Sequence, residues 1–440
     1  MERERSATAV LLGLPGFVLL AVSEYEGELE QAIETTADLV GCPACGAVAE
    51  LHDRRPVRVR DLACAGRPVT LIWVKRVWRC RHELCEVVTW SETSDAIAPR
   101  ASMTQRARAA ACLRVGRDGQ SVAAVAREFG VGWGTIMAAV DDHGQPLVDD
   151  PSRLDGVESV GVDETAFSAA TARKATGFVT GIVDLTRGHG AAARLLDVVE
   201  GRSAAALTCW LTGRDTDWRA AVVTAALDPY RGYASALRTQ LPGAVRVLDA
   251  FHVTRLGFAA VDEVRRRIQR DLTGHRGRRD DPLYRIRRLL RRGADHHSER
   301  SWARLLAGLD VGDTHDEQLA KTWIAAQELR LLYRCPDRAR AQAHFYRWLV
   351  HCVDADVPEL ARLATTIDSW HTELLAYFDT GGNSTGPTEA INLLIKKIKR
   401  VGHGFRNFDN YRLRLLLHCG VDWNTVHATP IRGRLPRFAA

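Results

Sequence analysis

The sequence predicts an α/β chain: a sheet domain interrupted by a large all-helical insertion, preceded by a small four-cysteine zinc-binding β module and a helix-turn-helix. Three observations carry this. Two cysteine pairs sit in strand-like sequence near the N-terminus. From about residue 155 short β-rich runs follow one another, several closing on an acid. A long arginine-rich helical stretch then separates them from one last amphipathic helix beginning near Pro387.

The N-terminal module comes first. Ala7 to Val22 is apolar behind a charged start, as a signal peptide would be. Glu2, Glu4 and the Gly13-Leu14-Pro15-Gly16 break argue against that reading. A buried strand followed by a hairpin around Tyr25-Glu26-Gly27 is expected instead. Cys42-Pro-Ala-Cys45-Gly46 is a knuckle, two thiolates two residues apart, with a glycine that lets backbone amides turn toward sulfur. Cys80 and Cys85 follow the strand-like run Val69 to Trp78. Four thiolates from two loop tips make a closed tetrahedral zinc site. The second pair is more widely spaced, which leaves His82 or Cys64 as alternative ligands, and buried free cysteines as the competing account. An oxidising compartment is not implied, and a cytoplasmic, nucleoid-associated protein is expected.

Between Met103 and His143 the pattern is helical. Ser121 to Phe129 has helical apolar spacing, Gly130-Val-Gly132 turns, and Trp133 to Val140 starts a second helix. Such a pair matches a helix-turn-helix, whose second helix enters the major groove, and this places Trp133 and Thr135 toward DNA. Any helical hairpin shares the pattern, so its position beside a zinc module strengthens the reading.

The sheet is expected from Ser159-Val-Gly-Val-Asp163-Glu-Thr165, a strand ending in acids, with strands at Gly177 to Leu185 and Ala193 to Glu200 and a turn at Gly188 and Gly190. Ser203 to Thr212 reads as a helix and Ala220 to Leu227 as a fourth strand, ending at Asp228. A helix from Tyr233 to Gln240 leads to a fifth strand, Val245 to Leu248, ending at Asp249 and His252. Strands with acids at one edge suit hard divalent cations such as Mg²⁺, and two such ions serve in-line phosphoryl displacement. A single acid at a strand end is usually a turn residue, so only the set of acids points to a cation. Glu164, next to Asp163, points to the opposite face and is read as structural or as a support behind the metal ligands.

Four stretches beyond the sheet read as helices: Leu256 to Arg300, Trp302 to Leu309, His315 to Tyr333 and Ala339 to Phe378. Thirteen arginines fall between Arg265 and Arg300 in a chain whose net charge is only +6. Clustered guanidinium groups suggest a track for a polyanion, although Asp280, Asp281, Asp295 and Glu299 also suit a solvated helical surface. No stretch reaches the roughly 20 apolar residues of a membrane span. The final helix follows the loop Gly381-Gly382-Asn383-Ser384 and stops at Gly402 and Gly404. On a helical wheel Ile391, Leu394, Ile395 and Ile398 share one face, with Glu389, Asn392, Lys396 and Lys399 opposite. An ordinary amphipathic helix has this form. A lone Glu among lysines after a glycine-rich loop also suits a cation held beside phosphates.

Taken in order, these motifs resemble the ISL-three insertion-sequence transposases. The likeness spans nearly the whole chain: the Cys42 knuckle, the helix-turn-helix, Gly161-Val-Asp163-Glu164, Leu227-Asp228-Pro-Tyr-Arg-Gly-Tyr233 and Val247-Leu-Asp249-Ala-Phe-His-Val253. It closes on Ser384-Thr-Gly-Pro-Thr-Glu389-Ala-Ile-Asn392, Lys396-Lys-Ile-Lys-Arg400 and Gly402-His-Gly-Phe-Arg-Asn407, the most specific block. Leu227 departs from the family's usual Met, a change of packing and not of chemistry.

The resemblance implies an RNase H-like catalytic domain with Asp163, Asp228 and Glu389 as a DDE triad holding two Mg²⁺ (or Mn²⁺) ions. It places Asp249 after the second catalytic aspartate, where it orients a metal-bound water or braces His252, with direct metal ligation by Asp249 as the alternative. It puts Lys396, Lys397, Lys399, Arg400, His403 and Arg406 on DNA. The implied layout is zinc module 1–98, helix-turn-helix 99–150, catalytic domain 151–255, helical insertion 256–380, and the closing catalytic segment 381–440. The expected activity is cleavage at terminal inverted repeats and strand transfer to target DNA, by a dimer or higher oligomer. Two rivals remain: a transposase-derived regulator that binds DNA without cutting it, and a structure-selective nuclease. Three metal-binding carboxylates are superfluous to a regulator, and the N-terminal modules are superfluous to a simple nuclease.

Overall fold

The computed structural model describes residues 12–170, 175–187, 193–309, 314–382 and 384–426. The first residues of the apolar N-terminal run, the turn at Gly188 and Gly190, and Asn383 lie outside the described residues. Packing divides the chain into two compact units, one of residues up to Pro151 together with those from Lys396 onward, the other Ser152–Ile395.

In the first unit, β1 (Phe17–Tyr25) and β2 (Glu28–Thr35) form the expected hairpin. Glu26 and Gly27, at φ +51° and +81°, make its two-residue turn, the backbone that matches strand twist. β3 (Glu50–Cys64) and β4 (Arg67–Arg79) form a second hairpin. β2 lies parallel to β4, giving the order β1-β2-β4-β3, and β5 (Thr89–Ser91) adds to β4. The core is one-sided, made by Phe17, Ile33, Val59, Leu71, Trp73 and their neighbours. The first strand therefore differs from the buried one expected: it starts at Phe17, and Leu20 and Val22 are each 53% exposed because only one sheet face is covered.

Three helices follow, α1 (Gln105–Gly116), α2 (Val122–Phe129) and α3 (Trp133–Asp149). Thr104 and Ser121 cap α1 and α2, accepting from the amides of Ala107 and Ala124; each cap is worth about 1 kcal/mol. The Thr104 hydroxyl also donates to the buried Asp61 at 2.6 Å, and Arg106 pairs with the same carboxylate, tying α1 to β3. Gly130 closes α2 at φ +63°, a left-handed cap that β-carbon residues avoid.

In the second unit, β6 (Ser159–Ser168), β7 (Gly177–Asp184) and β8 (Arg194–Glu200) form an antiparallel meander. α4 (Ala204–Thr212) and α5 (Thr216–Ala221) lead to β9 (Thr224–Leu227), then α6 (Arg231–Gln240) leads to β10 (Val245–Leu248). β9 runs parallel to β6 and β10 parallel to β9, so the sheet order is β10-β9-β6-β7-β8. The expected strand from Ala220 is shorter, since Ala220 and Ala221 end α5. Asp215 caps that helix, and Trp218 anchors it by donating to the Leu154 carbonyl at 2.9 Å. Alanine suits either state, so this local anchoring decides.

The helical block comprises α7 (Ala250–Thr273), α8 (Pro282–Ile286), α9 (Glu299–Leu309), α10 (Thr314–Leu332), α11 (Arg338–Asp354), α12 (Pro358–Asp368) and α13 (His371–Asp379). Two expected long helices are broken. Gly274 ends α7 at φ +73°, and Pro358, which has no amide to donate, restarts the chain as α12. The block does not have a core of its own. Val162, Leu227 and Leu248 of the sheet share one buried cluster with Phe345, Trp348 and Leu374. Each such side chain contributes roughly 1.5–3 kcal/mol of burial.

Part of the arginine run is spent internally. Asp262 pairs with Arg265, Arg266 and Arg291, and Arg267 pairs with Glu359 at 2.8 Å.

The last helices are α14 (Gly386–Val401), α15 (Phe408–Cys419) and α16 (Trp423–Val426). From Lys396 onward the chain belongs to the first unit, where α15 packs on α1 and α3. Gly116 and Gly144 allow this approach: a β-carbon on Gly144 would lie 2.8 Å from Leu417 Cδ1.

Candidate functional site

Register explains why three carboxylates gather. Val162 on β6 pairs with Leu227 on β9, which pairs with Leu248 on β10. The residue that follows each of these three is an aspartate: Asp163, Asp228 and Asp249. Parallel neighbours carry equivalent positions at one level, so the three acids form a row. Asp228 and Asp249 follow the ends of their strands, as expected. Asp163 does not, because β6 continues to Ser168 along β7 after its pairing with β9 has ended.

His252 joins two of the row. Its Nε2 lies 2.8 Å from Asp228 Oδ2, and its Nδ1 lies 2.8 Å from Asp249 Oδ2. Asp249 is fully enclosed, caps α7, and accepts the Thr385 amide at 3.0 Å through its other oxygen. Asp249 is therefore occupied on both oxygens by the protein itself.

Asp163, Asp228 and His252 bring one ligand atom each within 4.8 Å of one another, a spacing compatible with a cation. Asp228 Oδ1 is buried and has no hydrogen-bond partner. A buried carboxylate oxygen left unpaired is costly in a finished core and is the natural place for a cation. The two carboxylates fit a hard divalent ion; His252, with both ring nitrogens engaged by carboxylates, braces Asp228 and is not itself free to bind it.

Glu389 lies in the first turn of α14 and is half-buried. Its carboxylate is outside the three-residue cluster, yet within the electrostatic reach of His252, Asp249 and Asp228. Burial raises its pKa.

Asn392, one turn further on, corrects the wheel. It is buried, its amide donates to Asp163 Oδ2, and its carbonyl accepts from Thr165 Oγ1 at 3.1 Å. The polar face of α14 is thus a contact with β6 in its first half. The sequence signal was available, since Asn392 stands three residues after Glu389 on the same face.

Gly161 permits the contact. A β-carbon there would collide with Thr388 Oγ1 and lie 2.8 Å from Leu185 Cδ1. Gly161→Ala is expected to displace α14 and cost about 1–3 kcal/mol of stability, read as a lower melting temperature together with weaker cation binding. Unchanged melting would show that the helix can move aside freely.

The site holds protons when it lacks a cation. Burial, followed by the charge of Asp228, pushes Asp163 up to about 7. Burial opposes protonation of His252, but its hydrogen bonds with Asp228 and Asp249 carry it up to about 9. Both folded pKa values lie above the ordinary 3.8 and 6.5. The folded state therefore binds more protons than the unfolded one, and these groups lose stabilising effect as pH rises from about 4 through 9. A divalent cation must expel those protons, so its apparent affinity should rise between pH 6 and pH 8, by at most about tenfold per pH unit per proton. Calorimetric titration in buffers of different ionisation enthalpy would count the protons released. A pH-independent affinity would contradict this account.

In the first unit the four expected cysteines converge. Cys42 Sγ lies 3.6 Å from Cys85 Sγ, and Cys45 Sγ lies 3.5 Å from Cys80 Sγ. All four sulfurs lie within 4.8 Å. A tetrahedron with Zn–S bonds of about 2.3 Å has edges of about 3.8 Å, close to these separations. The backbone amide of Cys45 draws the Cys42 thiol down to about 7. The Val87 amide draws Cys85 the same way, but burial and its sulfur neighbours push it up to about 12. Four thiolates this close require a cation to share. Cys64 lies at the exposed tip of the β3–β4 hairpin, and His82 is outside the cluster. Cys42, Cys45, Cys80 and Cys85 are thus the cluster positioned to hold a structural zinc ion.

The DNA-facing candidates are well placed for solvent. Trp133, at the start of α3, is 53% exposed and Thr135 is half-buried. Lys396, Lys397, Arg400, His403 and Arg406 are exposed, and Lys399 is half-buried. His403 sits at φ +52° and Gly404 at φ +92°, which turn the chain sharply between α14 and α15.

Comparisons with known proteins identify the family. A family profile described as transposase matches residues 160–415. The helix-turn-helix domain of transposase family ISL3 matches residues 92–144. The zinc-finger of transposase IS204/IS1001/IS1096/IS1165 matches residues 38–85. The transposase for insertion sequence element IS1001 of Bordetella parapertussis is 25% identical over 392 residues, covering 87% of this chain and 89% of that protein. The transposase for IS1557 of Mycobacterium tuberculosis (strain CDC 1551 / Oshkosh) is 24% identical over 314 residues, 65% of this chain and 66% of that one. The solved Drosophila P element transposase strand transfer complex aligns at 11% identity over 72% of this chain and 92% of that one, with a TM-score of 0.36, too low to bear on the fold. With the profile covering more than half of its length, the chain belongs to the ISL3 family of transposases and is a DNA-binding DNA transposase.

Proposed function

We propose that Asp163, Asp228 and Glu389 form the catalytic triad of an RNase H-like nuclease and strand transferase, holding two Mg²⁺ ions at the row of carboxylates. The carrying observation is that row, with Asp228 Oδ1 buried and unpartnered beside Asp163. The sheet supports the RNase H-like reading: a three-strand antiparallel meander whose first strand is continued by two parallel strands. Divalent ions, when bound, supply the charge that activates the attacking oxygen and stabilises the leaving one.

The chain's own residues do the rest. Asp163 and Asp228 fix the site from the sheet, and Glu389 closes it from α14. Asn392 holds the Asp163 carboxylate in place. His252 and Asp249 brace Asp228 from behind, a positioning pair. Water attacks phosphorus at the transposon end and the 3′ oxygen leaves. That 3′-OH then attacks a target phosphate and displaces its 3′ oxygen. No carboxylate becomes covalently attached to DNA.

Trp133 and Thr135 on α3 read the terminal inverted repeat. Lys396, Lys397, Lys399, Arg400, His403 and Arg406 contact backbone phosphates, and the arginines between Arg265 and Arg300 that are not ion-paired hold flanking or target DNA. Two ends must be synapsed, so a dimer or higher oligomer is the working form on DNA. Incubating the protein and Mg²⁺ with the native DNA flanking its gene, and mapping new 3′ ends, tests this. New ends at the repeat boundaries support the proposal. Tight binding without any cut would favour a DNA-binding regulator.

A further inference from the structure

Within the first unit, the start of α2, the first turns of α3 and the loop between α14 and α15 line a half-open cavity of about 360 Å³. Its walls include Trp133, His403, Phe405, Asn407, Asn410 and Arg414. Arg414 is the unusual member. It is only 4% exposed, and among the described residues it has no carboxylate partner. Its Nη2 donates to the Gln120 carbonyl at 3.1 Å, while its Nε is buried with no partner. The guanidinium lies 5.1 Å from the centre of the Phe405 ring. Burial lowers its pKa to about 10, so the group is still charged at neutral pH. A buried cation without a counter-charge costs several kcal/mol, and a core position filled by Leu or Met would avoid that cost.

The loop is shaped to keep the cavity open. A β-carbon on Gly402 would lie 2.7 Å from Phe405 Cε2 and 3.3 Å from Arg414 Nη1. His403 is held in the left-handed region just before Gly404, which costs a non-glycine residue roughly 1–2 kcal/mol. Strain of this kind gathers at ligand clamps.

The occupant is constrained by chemistry. Two aromatic walls suit a flat π-system, asparagine amides suit a base edge, and an unpaired guanidinium suits a phosphate or the acceptor edge of guanine. The volume falls in the range of pockets that bury a small molecule, and excludes a duplex. The pocket lies beside the N-terminus of α3, the end of a recognition helix that approaches bases. We propose that this pocket receives a single nucleotide extruded from the transposon-end duplex, stacked against Phe405 and Trp133 and held by Arg414.

The inference rests on the DNA-binding reading and is tested by a mismatch scan. Full-length, zinc-loaded protein is titrated against terminal-repeat duplexes, each carrying one mismatched pair at a different position. An unpaired base no longer costs the free energy of unpairing, so one position should bind roughly tenfold tighter than the paired duplex. That gain should vanish in Arg414→Gln and in Trp133→Ala. If Arg414→Gln fails to fold, Trp133→Ala, at a surface position, decides alone. A flat profile, or a peak that survives in the folded variants, would overturn the proposal. Failure of wild type to prefer the paired repeat over scrambled DNA would remove the DNA reading of this end, and the pocket with it.

Discussion

Glu389→Gln is expected to lower strand cleavage by about 10³-fold or more, roughly 4 kcal/mol of transition-state stabilisation, while leaving DNA binding within a few-fold of wild type. The substitution keeps shape and removes the charge of the proposed third ligand at the start of α14. It should not unfold the protein. Burial already disfavours the ionised carboxylate, so a neutral amide is tolerated or slightly stabilising in the cation-free protein. The signature is therefore a separation: unchanged or higher melting temperature without cation, loss of the stabilisation that Mg²⁺ gives wild type, and loss of new 3′ ends. Gel-shift titration, thermal melts with and without Mg²⁺, and end mapping measure the three parts. Retained cleavage would place the third ligand elsewhere, and His252, already within the cluster, would become the residue to test.

Removing zinc is expected to have a comparably large effect by a different route. Structural zinc contributes on the order of 10–16 kcal/mol to small zinc-dependent folds. A zinc ion shared by the four cysteines would tie the two loop tips of the N-terminal sheet together, and no other four-cysteine cluster occurs among the described residues. Chelation or Cys85→Ser should melt the module, expose it to protease and abolish specific DNA binding. Cys64→Ser should leave zinc at one ion per chain, because Cys64 is exposed and outside the cluster. Metal analysis and limited proteolysis would measure both variants. Full zinc content with unchanged protection in Cys85→Ser would refute the assignment.

Local chemistry made much of this chain legible in sequence. The Cys42 knuckle announces a metal site because thiolates two residues apart have few other uses. Ser121 and Gly130 announce a capped helix and its stop, because hydroxyl caps and left-handed glycines are set by a few neighbouring residues. Less legible were features that depend on distant partners. Whether Ala220 and Ala221 are strand or helix turned on Trp218 finding the Leu154 carbonyl. That β1 is exposed depended on which face of its sheet another element covers. Asn392 looked like a solvated polar residue until β6 lay against it.

The sequence by itself determined the inventory: four cysteines at two loop tips, three acids following apolar runs, and a glutamate opening a basic helix. Each is written in a dozen neighbouring residues, so reading it needs no fold. Tertiary structure alone decided the assembly. Asp163, Asp228 and Asp249 stand in one row only because Val162, Leu227 and Leu248 share a register across three strands. His252 joins Asp228 to Asp249 only because α7 starts where β10 ends. The physical reason is that strand register and helix docking are fixed by burial summed over the whole core, which no single segment encodes.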